Sequence, residues 1–231
     1  MGVSVPAEIV EDTELRDREE VFEDREAAGE RLAELLAYYR GTDAIVLAIP
    51  SGGVPVGLAV ADRLGLPFDL LIIRKIPIPG NTEAGFGALT LEGDLLLNEL
   101  LVADLGLSPQ EIERLSGPVR AELRDRNRLF REDRPLPDLT ERTVLLVDDG
   151  LASGYTMLAA VRMVGRRHPA ETVIVVPTAA RRTVERLAPE VDRIVCPNIR
   201  SGRIFAVASA YRDWFDLSRK EVLALLHRRS T

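Results

Sequence analysis

The chain predicts an α/β fold built on a mostly parallel sheet, and two observations carry that prediction. Short apolar runs, AIVLAI (44–49), FDLLII (68–73), TVLLV (143–147), TVIVV (172–176) and RIVC (193–196), are continuous rather than alternating. Continuous runs mark strands buried on both faces. The segments between them carry apolar residues at helical spacing, and strands alternating with amphipathic helices imply a sheet covered by helices on either side.

The elements follow in order. A helix is expected over 22–39, where Ala28, Leu32, Leu35, Leu36 and Tyr39 share one face. The strand 44–49 feeds PSGGVPVGLAVADRLG, a glycine loop opening a helix, and 68–73 is a second buried strand. Residues 74–93, RKIPIPGNTEAGFGALTLEG, are rich in Gly and Pro and read as a long loop or a hairpin. A long helix starts at Ser108, because SPQE supplies an N-cap, a proline at the first helical position and a glutamate three residues after the cap. Gly117-Pro118 is expected to kink or split it, and PLPD (135–138) is a connector. After the strand 143–147 comes a helix with Met157, Leu158, Val161 and Val164 on one side, and then strand, helix (near 180–188) and strand again. The architecture is three-layered α/β/α, Rossmann-like in the broad sense. Ligands of such sheets bind at the carboxyl ends of the strands, so loops 50–53 and 148–155 are where chemistry is expected.

Bulk properties bound the function. The 231 residues suit one large domain, or one with a small appendage, and a formal net charge of −7 argues against a general nucleic-acid binder. The stretch 108–134 holds seven arginines against six acids, which reads as a solvated amphipathic helix, its apolar face suiting a homodimer contact. Apolar runs stop near six residues, far short of the ~20 a membrane helix needs. The acidic start, MGVSVPAEIVEDTELRDREE, lacks the order of a secretory signal, and a lone Cys196 excludes an internal disulfide; a cytoplasmic protein is expected. One cysteine with His168 and His227 is too few for a zinc cage. Neither a Walker A loop nor GxGxxG occurs.

The informative stretch is VLLVDDGLASGYT (144–156). Ala152, Ser153, Gly154, Tyr155 and Thr156 lie between a strand end and a helix start, where backbone N–H groups are free and the helix dipole is positive. Ser153 and Thr156 add hydroxyls, and Gly154 permits close approach, so a phosphate monoester fits. Asp148 and Asp149 would repel that phosphate unless a donor lies between, such as a vicinal diol or a bound Mg²⁺. A phosphosugar satisfies both halves. Likewise Ser51, Gly52 and Gly53 follow a strand and open a helix, offering N–H groups to a second anion.

This pattern resembles the ribose-phosphate signature of the type I phosphoribosyltransferases, which use phosphoribosyl pyrophosphate (PRPP). FEDREAAGERLAELL (22–36), AIPSGGVPVGLAVADRLGLPFDLLIIRKI (48–76) and PGNTEAGFGALT (79–90) resemble a bacterial and archaeal subgroup of that superfamily, and FAVASAYRDWFDLS (205–218) its base-binding segment. The resemblance implies the type I fold over residues 21–231, with a hood near 197–217, a flexible loop near 74–93 and an acidic extension over 1–20. It implies that Asp148 and Asp149 hold the ribose hydroxyls and that Ala152–Thr156 hold the 5′-phosphate. It further implies a pyrophosphate loop at Ser51–Gly53 with a cis Pro50–Ser51 bond, although Ser51 stands where the subgroup often has Arg. Arg74 and Lys75, at the end of the second strand, would either form surface ion pairs or clamp the pyrophosphate, and Glu83 would act on the base or a sugar hydroxyl. Phe205 and Trp214 are candidates to stack on the base, with Ala206 and Val207 reading its edge, and Trp214 reads first as a core aromatic of a flap. An acid at 152 and a lysine near 177, common in enzymes for 6-oxopurines, are missing here.

The reaction so implied moves a 5-phosphoribosyl group from PRPP, carried with Mg²⁺, to a nitrogenous base and releases pyrophosphate. The alternatives are a PRPP-sensing regulator, an enzyme of another sugar phosphate and an assembly subunit.

Overall fold

The computed structural model describes residues 7–229, except the side chains of 81–84. Six strands form the central sheet: β1 (Glu8–Val10), β2 (Ile45–Ala48), β3 (Phe68–Leu70), β7 (Thr143–Val147), β8 (Glu171–Val175) and β10 (Arg193–Val195). Their order is β1-β10-β8-β7-β2-β3 and every pairing is parallel. Three antiparallel strands, β4 (Ile73–Ile78), β5 (Asn81–Thr90) and β6 (Leu95–Leu97), make a separate sheet, and β9 (Thr178–Ala180) pairs with β11 (Asn198–Arg200). The helices are α1 (Arg25–Leu35), α2 (Gly53–Leu64), α3 (Glu99–Asp104), α4 (Pro109–Arg131), α5 (Tyr155–Gly165), α6 (Arg181–Leu187) and α7 (Arg219–Arg229).

The continuous apolar runs divide by the strand pleat. Val46, Leu145, Val147, Val173 and Val175 join one core with α1, α2, α4 and α7. Their neighbours Ile45, Leu47, Val144, Leu146 and Ile174 join a second core under α5 and α6. Two cores on opposite faces are the three-layer arrangement that the sequence predicts. Phe22, Ala28, Ala210 and Tyr211 form a third, smaller cluster with Leu15, Val21, Val207 and Trp214, so segments from both ends of the chain make a hood.

Four expectations are corrected. Residues 8–10, within the acidic stretch, pair with β10 as the sheet's edge strand. The helix expected over 22–39 is α1 followed by a 3-10 turn at Ala37–Tyr39, because Asp24 caps the chain at Ala27 N–H (2.8 Å) and Phe22 is committed to a bridge with Tyr211. The second strand ends at Leu70; Arg74 and Lys75 belong to β4, and the 74–93 stretch takes the hairpin alternative. Finally, α4 runs unbroken through Gly117-Pro118. Its capping box is formed as expected, with Ser108 Oγ accepting from Glu111 N–H (3.3 Å) and Glu111 accepting from Ser108 N–H (2.9 Å). Pro118 removes one helical bond, but Ile112, Ser116, Val119 and Leu123 are buried on both sides of it and hold the helix to the core.

Helices α1 and α2 cross at Gly29, where a Cβ would stand 2.6 Å from Val56 O and 2.7 Å from Ala59 Cβ. An alanine gains about 1 kcal/mol in helix propensity, but overpacking of this kind costs about 1–3 kcal/mol, and a backbone oxygen gives little. Gly29→Ala is therefore expected to lower the urea midpoint with an unchanged m-value.

Candidate functional site

The site forms where β7 ends in the middle of the sheet. Asp148 N–H still reaches back to Val175 O (3.4 Å), and Asp148 Oδ1 accepts from Asp149 N–H (2.9 Å). The chain then turns. Leu151 N–H donates to Thr178 O (2.9 Å) and Leu151 O accepts from Ala180 N–H (3.0 Å), which ties the loop to β9.

Helix α6 grips the loop from behind. Thr183 Oγ1 donates to Ala152 O (2.5 Å) and the Arg186 guanidinium donates to Ser153 O. A trans peptide points its N–H away from its carbonyl. With these carbonyls held toward α6, the N–H groups of Ser153 and Gly154 face the opposite way, into the cavity. Gly154 takes φ +69°, and a Cβ there would meet Thr183 Cγ2 at 2.5 Å, so only glycine suits the position. No side chain caps α5, leaving its first N–H groups and the positive end of its dipole available to an anion.

The cavity in front of this loop holds about 400 Å³ and is lined by Asp148, Gly150, the whole of Ala152–Thr156, Lys75 and Val207, closed on one side by Gly85, Gly87, Asn98 and Leu101. Thus the phosphate-type loop, one of the two acids, the β4 lysine and one expected base-edge residue converge.

Asp149 faces the other way. Its Oδ2 accepts from Arg25 Nε at 2.9 Å, with the Arg25 side chain only 8% exposed. The same guanidinium donates to Phe215 O (2.9 Å) and stacks 3.7 Å from the Trp214 ring centroid. Tyr211 donates its hydroxyl to Asp149 O (2.6 Å). Burial, and then the Asp149 charge, push the Tyr211 phenol well up, so it remains a donor. Burial raises Asp149 as well, with Arg25 opposing. Asp148 is raised further, first by burial and next by the charge of Asp149, because no arginine offsets it as directly.

The glycine loop packs against the back of this acid. A Cβ on Gly52 would fall 1.9 Å from Asp149 Oδ2, and one on Gly53 2.7 Å from Val147 O. The Pro50–Ser51 peptide is cis. Ser51 Oγ accepts from Arg126 Nη1 of α4 at 3.4 Å.

Other expected residues lie elsewhere. Arg74 and Lys75, expected together, point to opposite faces of β4, as adjacent strand residues must: Lys75 lines the cavity, while Arg74 pairs with Glu122 of α4 (3.0 Å). Phe205 is half-buried beside the Arg200 guanidinium (5.5 Å) and is absent from the lining of the cavity. The side chain of Glu83 lies outside the described residues. Trp214 packs in the hood on Tyr211 and Arg25, as a core aromatic. Arg25, Tyr211, Arg126 and Thr183 are additions that the sequence did not single out, although Arg25 and Tyr211 stand within the quoted stretches 22–36 and 205–218.

The family model described as phosphoribosyl transferase domain matches residues 17–211, and the chain belongs to that family. Two Mycobacterium tuberculosis proteins, each named "Putative phosphoribosyl transferase", are 37% identical to it over 209 residues, which is 90% of this chain and 47% of theirs. The chain thus spans about half the length of these curated relatives. Among solved structures, TT1426 from Thermus thermophilus is 35% identical with a TM-score of 0.72, covering 90% of this chain and 98% of that one. The α/β fold is the fold of that structure.

The two acids make stability depend on pH. Since the Asp148 carboxyl in the folded chain lies above its ordinary 3.8, its proton contributes stability that is complete below pH about 4 and is lost as pH rises through the elevated value. Asp148→Asn keeps the acceptor for Asp149 N–H and removes the charge. It is expected to melt at a higher temperature than the wild type at pH 8, with the difference shrinking toward pH 4. Paired thermal melts across that range test this, and a variant less stable than wild type at pH 8 would contradict it.

Proposed function

We propose that this chain transfers the 5-phosphoribosyl group of PRPP to a nitrogenous base with release of pyrophosphate. One observation carries the reading: Asp148 and the loop Ala152–Thr156 share a single cavity at the carboxyl end of the central strand. The loop N–H groups and the hydroxyls of Ser153 and Thr156 take the 5′-phosphate, while the Asp148 carboxylate accepts from the ribose diol. The distance-independent logic is charge: a phosphate and an acid in one cavity need a neutral donor between them, and a sugar supplies it.

Asp148 is the acid that meets the diol, and Asp149, held by Arg25 at its carboxylate and by Tyr211 at its carbonyl, faces away from the cavity and fixes the turn that presents Asp148. Lys75, on the cavity wall, is a cation placed for the leaving group. Loop 50–53, which lies outside that lining, has the N–H groups of Ser51 and Gly52 to offer the pyrophosphate, Gly53 N–H being taken by Ile49 O (3.0 Å). Val207, packed over Gly150 (2.6 Å from where a Cβ would stand), lines the acceptor side. Positive charge builds at C1′ in an oxocarbenium-like transition state, and departure of the pyrophosphate is what the donors around it favour.

Magnesium fits these residues as an ion that arrives with the substrate. The raised carboxyl of Asp148 beside Asp149 is the electrostatic arrangement a divalent cation relieves, and Asp148 is the residue that would approach it. When bound, the ion neutralises charge on the departing phosphates.

Calorimetric titration with PRPP and Mg²⁺, on wild type and on the double variant Asp148→Asn/Asp149→Asn, followed by a nucleobase panel scored for pyrophosphate release, tests the proposal. Micromolar to millimolar binding that the double variant loses by at least tenfold is expected, with release for one base. Binding without release for any base would favour the regulator. No binding would sink the reading.

A further inference from the structure

Behind the glycine loop lies a cluster that the reading above does not use. Arg74, Arg126 and Arg219, from β4, α4 and the start of α7, converge on the single carboxylate of Glu122 at 3.0, 3.1 and 3.4 Å. Arg126 is the innermost, its side chain 9% exposed, and it alone reaches the glycine loop, at Ser51 Oγ (3.4 Å). Three guanidinium groups share one counter-ion in a half-buried place, so positive charge is left over. Arg74 also keeps a buried Nε with no acceptor.

These features describe a site short of an anion. A buried cation is costly without a partner, and here burial, followed by the charge of Arg74, holds Arg126 below its ordinary value. Burial works to raise Glu122, but Arg74 and Arg126 keep it below the usual carboxylate range, ionised and shared. A group with more than one negative charge, seated on the N–H groups of Ser51 and Gly52, would supply what Glu122 cannot, Gly53 N–H being taken by Ile49 O (3.0 Å). Guanidinium forks suit phosphate oxygens.

We infer that Arg126, reaching across from α4 and backed by Arg74, binds the pyrophosphate of the donor substrate at loop 50–53, with Glu122 as the counter-ion that the arriving anion displaces. Ser51 then needs no charge of its own, since the cation comes from a helix 75 residues further along the chain. The inference rests on the phosphoribosyl reading for the identity of the anion.

The test separates the two. Magnesium pyrophosphate and ribose 5-phosphate are titrated calorimetrically into wild type, Arg126→Gln and Glu122→Gln. Arg126→Gln is expected to weaken pyrophosphate at least tenfold while ribose 5-phosphate stays within twofold, which also reports a folded chain. Glu122→Gln removes the competing carboxylate and is expected to tighten pyrophosphate by threefold or more. The opposite signs exclude general damage, which would weaken both. Pyrophosphate binding unchanged in Arg126→Gln, weakened in Glu122→Gln, or lost in parallel with ribose 5-phosphate would overturn the inference and leave the phosphoribosyl reading standing. A wild type that ignores ribose 5-phosphate but binds pyrophosphate through Arg126 would overturn that reading and keep the site.

Discussion

The ion pair between Arg25 and Asp149 is the constraint on which the rest of the structure depends. It joins the first residue of α1 to the end of the central strand across 124 residues. The same guanidinium also holds Phe215 O and the Trp214 ring. Taking both charges out of water costs several kcal/mol apiece, about as much as their attraction returns, yet removing one partner of such a pair typically costs about 3–5 kcal/mol. The pair therefore contributes geometry more than net stability. With Tyr211 on the Asp149 carbonyl, it fixes the hood, the N-terminal segment and the strand end to a single residue.

Close backbone approaches complete the arrangement. The glycine loop can lie against Asp149 because Gly52 presents no Cβ to the carboxylate, and α2 can begin against β7 because Gly53 presents none to Val147 O. Gly150 admits Val207 in the same way. Loop 50–53, the acidic turn and the hood thus meet within one side chain's width. Each glycine is required by a contact with a distant part of the chain.

Much of this was legible in the sequence, and the reasons are local. Strands buried on both faces need continuous apolar runs, so five of the six central strands could be read; β1, three residues with an exposed start, could not. The capping box of α4 is a contiguous pattern and formed as read, and the loop 152–156 lies between a strand end and a helix start, where the sequence puts it. What was hidden depends on distance in the chain. Nothing near Arg25 or Arg126 in sequence tells that they meet residues 124 and 75 positions away. Arg74 and Lys75 read as a pair because they are adjacent, but they lie in β4, whose pleat sends neighbours to opposite faces. Gly117-Pro118 reads as a kink or a split because propensity is local, whereas burial on both sides of it is not.

Two adjacent carboxylates beside a phosphate-type loop are unfavourable if they are alike, and the fold makes them unlike. Asp149 turns back into the protein, where Arg25 offsets its charge and the glycine loop covers it. Asp148 turns into the cavity, raised by burial and by its neighbour. Asp149 is thereby engaged by the fold, and Asp148 is left in a state that a proton or a ligand relieves. The same division recurs behind the loop, where Glu122 satisfies the arginines incompletely. On both sides of loop 50–53 the folded chain holds charge that its own residues leave partly unbalanced, negative in front and positive behind. The proposed phosphosugar donor would meet the first side with hydroxyl hydrogen bonds and the second with phosphate charge, which is why one ligand is proposed for both.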